Sequence, residues 1–127
     1  MGTDPAERTF DGIYINRFSR NRQMRFSKVA PAQFEWNEEK SSINKRKHDI
    51  DFETASEVFY ESVLIRKSDR NDEERWIAIG VLGNRIVTVA FTRREQTIRI
   101  ISARRARKNE ERDYRNQEVG RPPEGED

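Results

Sequence analysis

The sequence predicts an α+β domain: an antiparallel β-sheet with two N-terminal helices packed on it and a third helix at the C-terminal end. Three observations carry this prediction. Gly83-Asn84 is a two-residue hairpin signal between two runs, 75–82 and 85–92, rich in Ile, Val and Ala. Asn37 and Asp51 each precede a short helical pattern opened by acids, as helix N-caps do. The stretch T-I-R-I-I-S-A-R at 97–104 reads as a mostly buried strand with Arg99 set among its isoleucines, running at Ser102 into the start of a helix.

Composition narrows the function classes. A chain of 127 residues suits one domain, and 33% hydrophobic against 38% charged residues confines the core to a few segments. With no Cys and one His there is no disulfide framework or thiolate zinc site, and nitrogen ligands are too few for the usual transition-metal centres. No metal or cofactor is expected. Neither a membrane-length apolar run nor a signal-peptide core is present, so the expectation is a cytoplasmic protein without a membrane partner. Net charge is only +2, from 25 basic and 23 acidic residues, so any attraction to nucleic acid must come from local patches.

Residues 1–33 read as a basic polar extension, flexible, with no acid between Gly12 and Phe34 while Arg17, Arg20, Arg22, Arg25 and Lys28 recur. The segment is either an unfolded leader or a basic arm that touches RNA, and Met24 is a second place where the natural chain could begin. The domain proper is expected over 34–117. It starts with a short strand at 34–36 and a helix over 38–48, on which Lys40, Asn44, Lys47 and His48 form one polar stripe. Asp51 caps a second helix through Phe59, whose apolar face is Phe52, Ala55, Val58 and Phe59. A strand at 62–66 and a charged loop at 68–74 lead into the hairpin. Ser102 reads as the N-cap of the third helix, 103–117, so an anion site is expected where strand and helix meet. That helix has only Ala103, Ala106 and Tyr114 to interrupt its charge. Residues 118–127 are expected to be a disordered tail.

The hairpin can be counted out. A turn at Gly83-Asn84 sets Leu82 opposite Arg85, Gly80 opposite Val87, Ala78 opposite Val89 and Trp76 opposite Phe91. A four-residue loop at 93–96 then sets Thr92 opposite Thr97 and Phe91 opposite Ile98. One face collects Trp76, Ala78, Val87, Val89, Phe91, Ile98 and Ile100, the floor for the helices. The other collects Arg75, Thr92, Thr97 and Arg99, with Ile77, Ile79, Ile86 and Ile101 behind them. Arginines and threonines on an otherwise apolar sheet face imply a cleft or a ligand.

In order, F-E-W-N at 34–37, Lys40, Asn44, K-H at 47–48, F-E-x-A at 52–55, V-F at 58–59, E-E-R at 73–75, I-G at 79–80 and R-I-I-S-A-R at 99–104 resemble the BrnT family of bacterial toxins. The resemblance covers about residues 34–114. It implies a RelE-like fold and a ribonuclease toxin that inhibits translation. It also implies a BrnA-like antitoxin in a hetero-oligomer that binds operator DNA through the antitoxin. The chain departs from the family pattern at Asp49, where Gly is usual, and at Glu61-Ser62, where Asp-Pro is usual.

Metal-free RNA cleavage needs a base for the 2′-OH proton, cations or N–H donors for the phosphorane charge, and an acid for the leaving 5′-oxygen. These requirements assign His48 to proton transfer, with Lys47 and Glu74 as candidates for the complementary role, Glu74 alternatively holding Arg75 in place, and Arg75, Arg99 and Arg104 to phosphate. Lys40, Asn44, Thr92, Arg93 and Tyr114 are expected to bind RNA, Tyr114 either stacking on a base or simply packing. The competing reading is a binding module that holds RNA or an acidic partner segment without chemistry.

Overall fold

The structure, a computed structural model, describes residues 7–10, 13–16, 24–68 and 74–119. Two strands near the start, β1 (Glu7–Phe10) and β2 (Ile13–Asn16), pair antiparallel with each other. The remaining elements are β3 (Arg25–Ser27), β4 (Gln33–Glu35), α1 (Glu38–His48), α2 (Phe52–Ala55) with a 3-10 turn (Ser56–Tyr60), β5 (Val63–Lys67), β6 (Trp76–Leu82), β7 (Arg85–Arg94), β8 (Thr97–Arg105) and α3 (Lys108–Val119). Six of the strands form one sheet in the order β3-β5-β6-β7-β8-β4.

The α+β class holds, with two corrections. The sheet is mixed, because β4 runs parallel to β8 while the other neighbours are antiparallel. The first two helices follow four strands and so are not the N-terminal elements of the chain. Part of the stretch read as a leader enters the sheet: β3 pairs with β5, and Met24 and Val29 are buried. Of the tail expected over 118–127, Glu118 and Val119 continue α3 and the rest lies outside the described residues.

Local signals set the helix starts. The Asn37 side chain accepts from the Lys40 N–H at 2.9 Å and that of Asp51 from the Thr54 N–H at 2.7 Å, which opens α1 and α2 where the sequence placed them. The Thr54 hydrogen bonds hold the Asp51 carboxyl below its ordinary value. Asp49 ends α1 in the left-handed conformation, φ 62°, and its N–H reaches the Lys45 carbonyl, so an Asp does the work usually given to Gly.

The β6–β7 ladder has the register counted from the turn, from Leu82 opposite Arg85 to Trp76 opposite Phe91. The next turn differs: Arg94 pairs with Thr97, so the loop is Glu95-Gln96 alone and Thr92 faces Arg99. Glu95 takes a positive φ of 57°, held by the Arg93 Nε donating to its carbonyl at 2.7 Å. A shift of two residues keeps every side chain on its face. Trp76, Ala78, Val87, Val89, Phe91, Ile98 and Ile100 accordingly share a core with Phe52, Ala55, Val58 and Phe59. On the opposite face Leu64, Ile79, Ile86 and Met24 pack with Tyr114 of α3.

The third helix starts later than expected. Residues 102–105 continue β8, with Arg104 opposite Thr88 and Arg105 opposite Val87. On the outer edge of β8 the Asn44 side chain donates to the Ala103 carbonyl at 2.8 Å and accepts from the Ala103 N–H at 3.3 Å. The outward-facing backbone groups of Ala103 are thereby satisfied, and pairing overrides the helical propensity of S-A-R-R. Ser102 therefore caps no helix, and the anion site expected at that junction does not form.

Candidate functional site: an arginine cleft beside a β-bulge

Between Phe91 opposite Ile100 and Ala90 opposite Ser102 the β7–β8 ladder gains one residue on β8, Ile101. Such a bulge inverts the facing of everything beyond it. Without it Arg104 would stand opposite Val87 in the main core; with it Ala103 fills that core and Ser102 and Arg104 turn to the other face. There they join Thr88 and Ala90 of β7, Ile77 of β6, Arg66 of β5, Arg75, and Arg107 and Glu110 around α3, to line a cleft of about 340 Å³. Among the described residues that line it are four arginines and one carboxylate.

The carboxylate organises the cleft. Glu110 is 3% exposed and takes Arg104 in a two-pronged ion pair, Nη1 to Oε1 at 2.8 Å and Nη2 to Oε2 at 2.9 Å. Its Oε1 also accepts from the Thr88 hydroxyl at 3.0 Å and the Arg107 N–H at 2.8 Å, and Arg66 stands 4.0 Å from Oε2. The bond to Arg107, just ahead of α3, is half of a capping box. Burial would raise the acid's pKa, but Arg104, the Arg107 N–H and Thr88 outweigh it and bring the carboxyl down to about 2. In return, the Glu110 hydrogen bond raises the Arg104 guanidinium above its usual value, against its desolvation. Glu110, Thr88, Arg66 and Arg107 were missed by the sequence reading, and Ser102 was read as a helix cap rather than as a side chain of the cleft. The acids in the first turn of α3, Glu110 and Glu111, are the signal that could have located its start.

Of the residues expected at the site, Arg75 and Arg104 line this cleft. Arg99 does not: it pairs with Glu35 of β4 at 3.3 Å, half exposed. His48 is exposed on the last turn of α1 and is also outside the lining, so His48 and Arg99, assigned to the same reaction as Arg75, do not line its cleft. The cause is the anchoring of α1 to the outer edge of β8 and to α2, where the Ser41 hydroxyl accepts from the Phe52 N–H. Asn44 is buried and spends both ends of its amide on Ile50 and Ala103. Lys40 and Lys47 are exposed on the same helix. Glu74 lies 3.0 Å from the Lys67 ammonium. Thr92, opposite Arg99, and Arg93, bonded to the Glu95–Gln96 turn, sit at the far end of the hairpin. Tyr114 is 6% exposed, edge-on to Phe26, and has no open face for a base.

Among the described residues no group of three or more His, Cys, Asp and Glu is arranged to hold a metal ion, and no helix is long and apolar enough to cross a membrane. No curated protein matches the chain. A family model described as the ribonuclease toxin BrnT of type II toxin-antitoxin systems matches residues 36–110, which include β5 to β8 and reach Glu110 in the first turn of α3. The chain therefore belongs to the BrnT family of ribonuclease toxins, whose type II systems pair each toxin with an antitoxin.

Proposed function

We propose that the chain is a metal-independent endoribonuclease that inhibits translation, with the RNA backbone seated in the arginine cleft. The convergence of Arg66, Arg75, Arg104 and Arg107 with the Thr88 and Ser102 side chains on one hollow carries this reading. Guanidinium groups keep their charge and match phosphate oxygens two at a time, which is the chemistry a phosphodiester requires.

In this reaction the 2′-oxygen attacks phosphorus while the bond to the 5′-oxygen breaks, leaving a 2′,3′-cyclic phosphate and a 5′-hydroxyl. Arg75 and Arg104 offset the charge gathering on the phosphorane. One proton leaves the 2′-OH and one reaches the 5′-oxygen; Glu74, next to the cleft arginine Arg75, serves one transfer, and His48 or Lys47, which stand outside the cleft lining in the free chain, serves the other once bound RNA brings the last turn of α1 to the cleft. Support for His48 comes from Asn44, one helical turn earlier, which is bonded to Ala103 between the cleft residues Ser102 and Arg104. An RNA strand leaving the cleft over the edge of β8 meets the last turn of α1. Lys40, Arg99, Thr92 and Arg93 then serve the flanking nucleotides.

The partner in this reading is a BrnA-like antitoxin made with the toxin in the cytoplasm, forming a hetero-oligomer that binds operator DNA through the antitoxin. A second reading, a module that binds RNA without cutting it, is favoured by one observation: the carboxylate in the cleft is held ionised by Arg104 and is poorly suited to give or take a proton near neutral pH. Purified protein and a defined RNA in excess EDTA separate the two. The enzyme reading expects 2′,3′-cyclic phosphate ends and their loss in His48→Ala. Activity that EDTA abolishes and magnesium restores would contradict metal independence, and binding without cleavage would favour the module.

A further inference from the structure

We propose that Glu110 is a positioning residue of the ribonuclease site, holding the Arg104 guanidinium at the angle at which it meets the phosphate. The inference rests on the ribonuclease reading of the cleft and deepens it.

Burying an ion pair is a poor way to gain stability, because desolvation of both charges consumes most of the attraction, and apolar residues of similar volume often serve as well. Glu110 is nevertheless 3% exposed, at the wall of a cleft whose other charged lining residues, among those described, are arginines. Its contacts explain what the carboxylate does there. One oxygen, Oε1, gathers Arg104 Nη1, the Thr88 hydroxyl and the Arg107 N–H, while Oε2 takes Arg104 Nη2.

These bonds join three separate elements at one point: β7 through Thr88, β8 through Arg104 and the start of α3 through Arg107. The guanidinium is fixed in its plane by two parallel bonds, and its side chain remains 25% exposed. It is therefore both fixed and accessible. A planar donor already locked in orientation loses less freedom on meeting a phosphate than a mobile one, and its contribution is greatest where charge develops. The bulge at Ile101 turns Arg104 into the cleft and Glu110 then sets its pose, so the two features form one device.

The test is a double-mutant cycle on RNA cleavage by the full chain, with melting temperature measured in parallel. Glu110→Gln keeps the shape but loses the charge and one acceptor. It is expected to lower kcat by roughly 10- to 100-fold with KM changed less than about threefold. Arg104→Ala should cost a similar factor, and adding Glu110→Gln to it should cost little more, because the pair acts as a unit. Thr88→Val, nearly isosteric, removes one bond to Oε1; it should lower kcat a few-fold with little change in melting and serves alone if Glu110→Gln fails to fold. A folded Glu110→Gln with wild-type kcat, a loss that persists in full on the Arg104→Ala background, or an unchanged kcat in Thr88→Val would overturn the positioning role alone. Wild-type protein that cleaves no RNA would overturn the ribonuclease reading and this role with it.

Discussion

Replacing Asn44 with Ala separates a structural residue from an RNA contact. The amide donates to the Ile50 carbonyl at 2.7 Å and the Ala103 carbonyl at 2.8 Å and accepts from the Ala103 N–H at 3.3 Å, all buried. Truncation leaves one buried donor and two buried acceptors without this partner, and at about 1 kcal/mol per bond the loss is roughly 3 kcal/mol. For a domain of this size a change of 1 kcal/mol moves the melting temperature by about 3–5 °C, so Asn44→Ala should melt roughly 10 °C below wild type. Circular dichroism at 222 nm measures this directly, beside RNA affinity at a temperature where both proteins are folded. An Asn44→Ala protein that melts within about 2 °C of wild type but has lost RNA affinity would refute the reasoning. It would restore the reading of Asn44 as part of an RNA-facing stripe.

Two further outcomes follow from the same packing. The Glu110 carboxyl is depressed from 4.5 to about 2 in the folded state, so its contribution to stability is complete above its unfolded value and is lost as pH falls toward 2. Allowing for screening at the cleft wall the contribution is roughly 1–3 kcal/mol, so the stability gap between wild type and Glu110→Gln in urea should narrow between pH 5 and pH 2.5; a gap independent of pH would contradict it. Gly80→Ala would place a Cβ 2.9 Å from Val63 Cγ1 and 3.4 Å from Val58 Cβ, both in the main core, and should destabilise by about 1–3 kcal/mol in urea unfolding, whereas an unchanged midpoint would show that the core yields there.

Much of the fold is legible because short-range chemistry sets it. Asn37 and Asp51 cap their helices through side chains three residues from the bonded N–H. Gly83 supplies the positive φ of the hairpin turn, so the β6–β7 register could be counted outward from it. What was not legible depends on contacts distant in sequence. Nothing in I-I-S-A-R announces that Ile101 is the extra residue of a bulge, since that follows from what β7 offers opposite it. The parallel pairing of β4 with β8 and the entry of β3 beside β5 likewise join segments about forty or more residues apart.

The site divides along the same line. Arg75 lines the cleft on the face counted out from the hairpin, and Arg104 reaches the cleft by a route the sequence did not show. His48 was grouped with Asn44 because both lie on one stripe of α1, but a stripe does not reveal that its middle is bonded to the edge of β8. Glu110 went unnoticed because the third helix was started at Ala103, which put the acid in its interior rather than at its capped end.

The account stands most directly on the rate of RNA cleavage by Arg75→Ala, measured beside its melting temperature. Arg75, just ahead of β6, lines the same cleft as Arg104 and Glu110, so loss of its charge should reduce cleavage about a hundredfold while melting shifts by no more than about 2 °C. Cleavage at the wild-type rate by a folded Arg75→Ala protein would show that the scissile phosphate lies outside the arginine cleft.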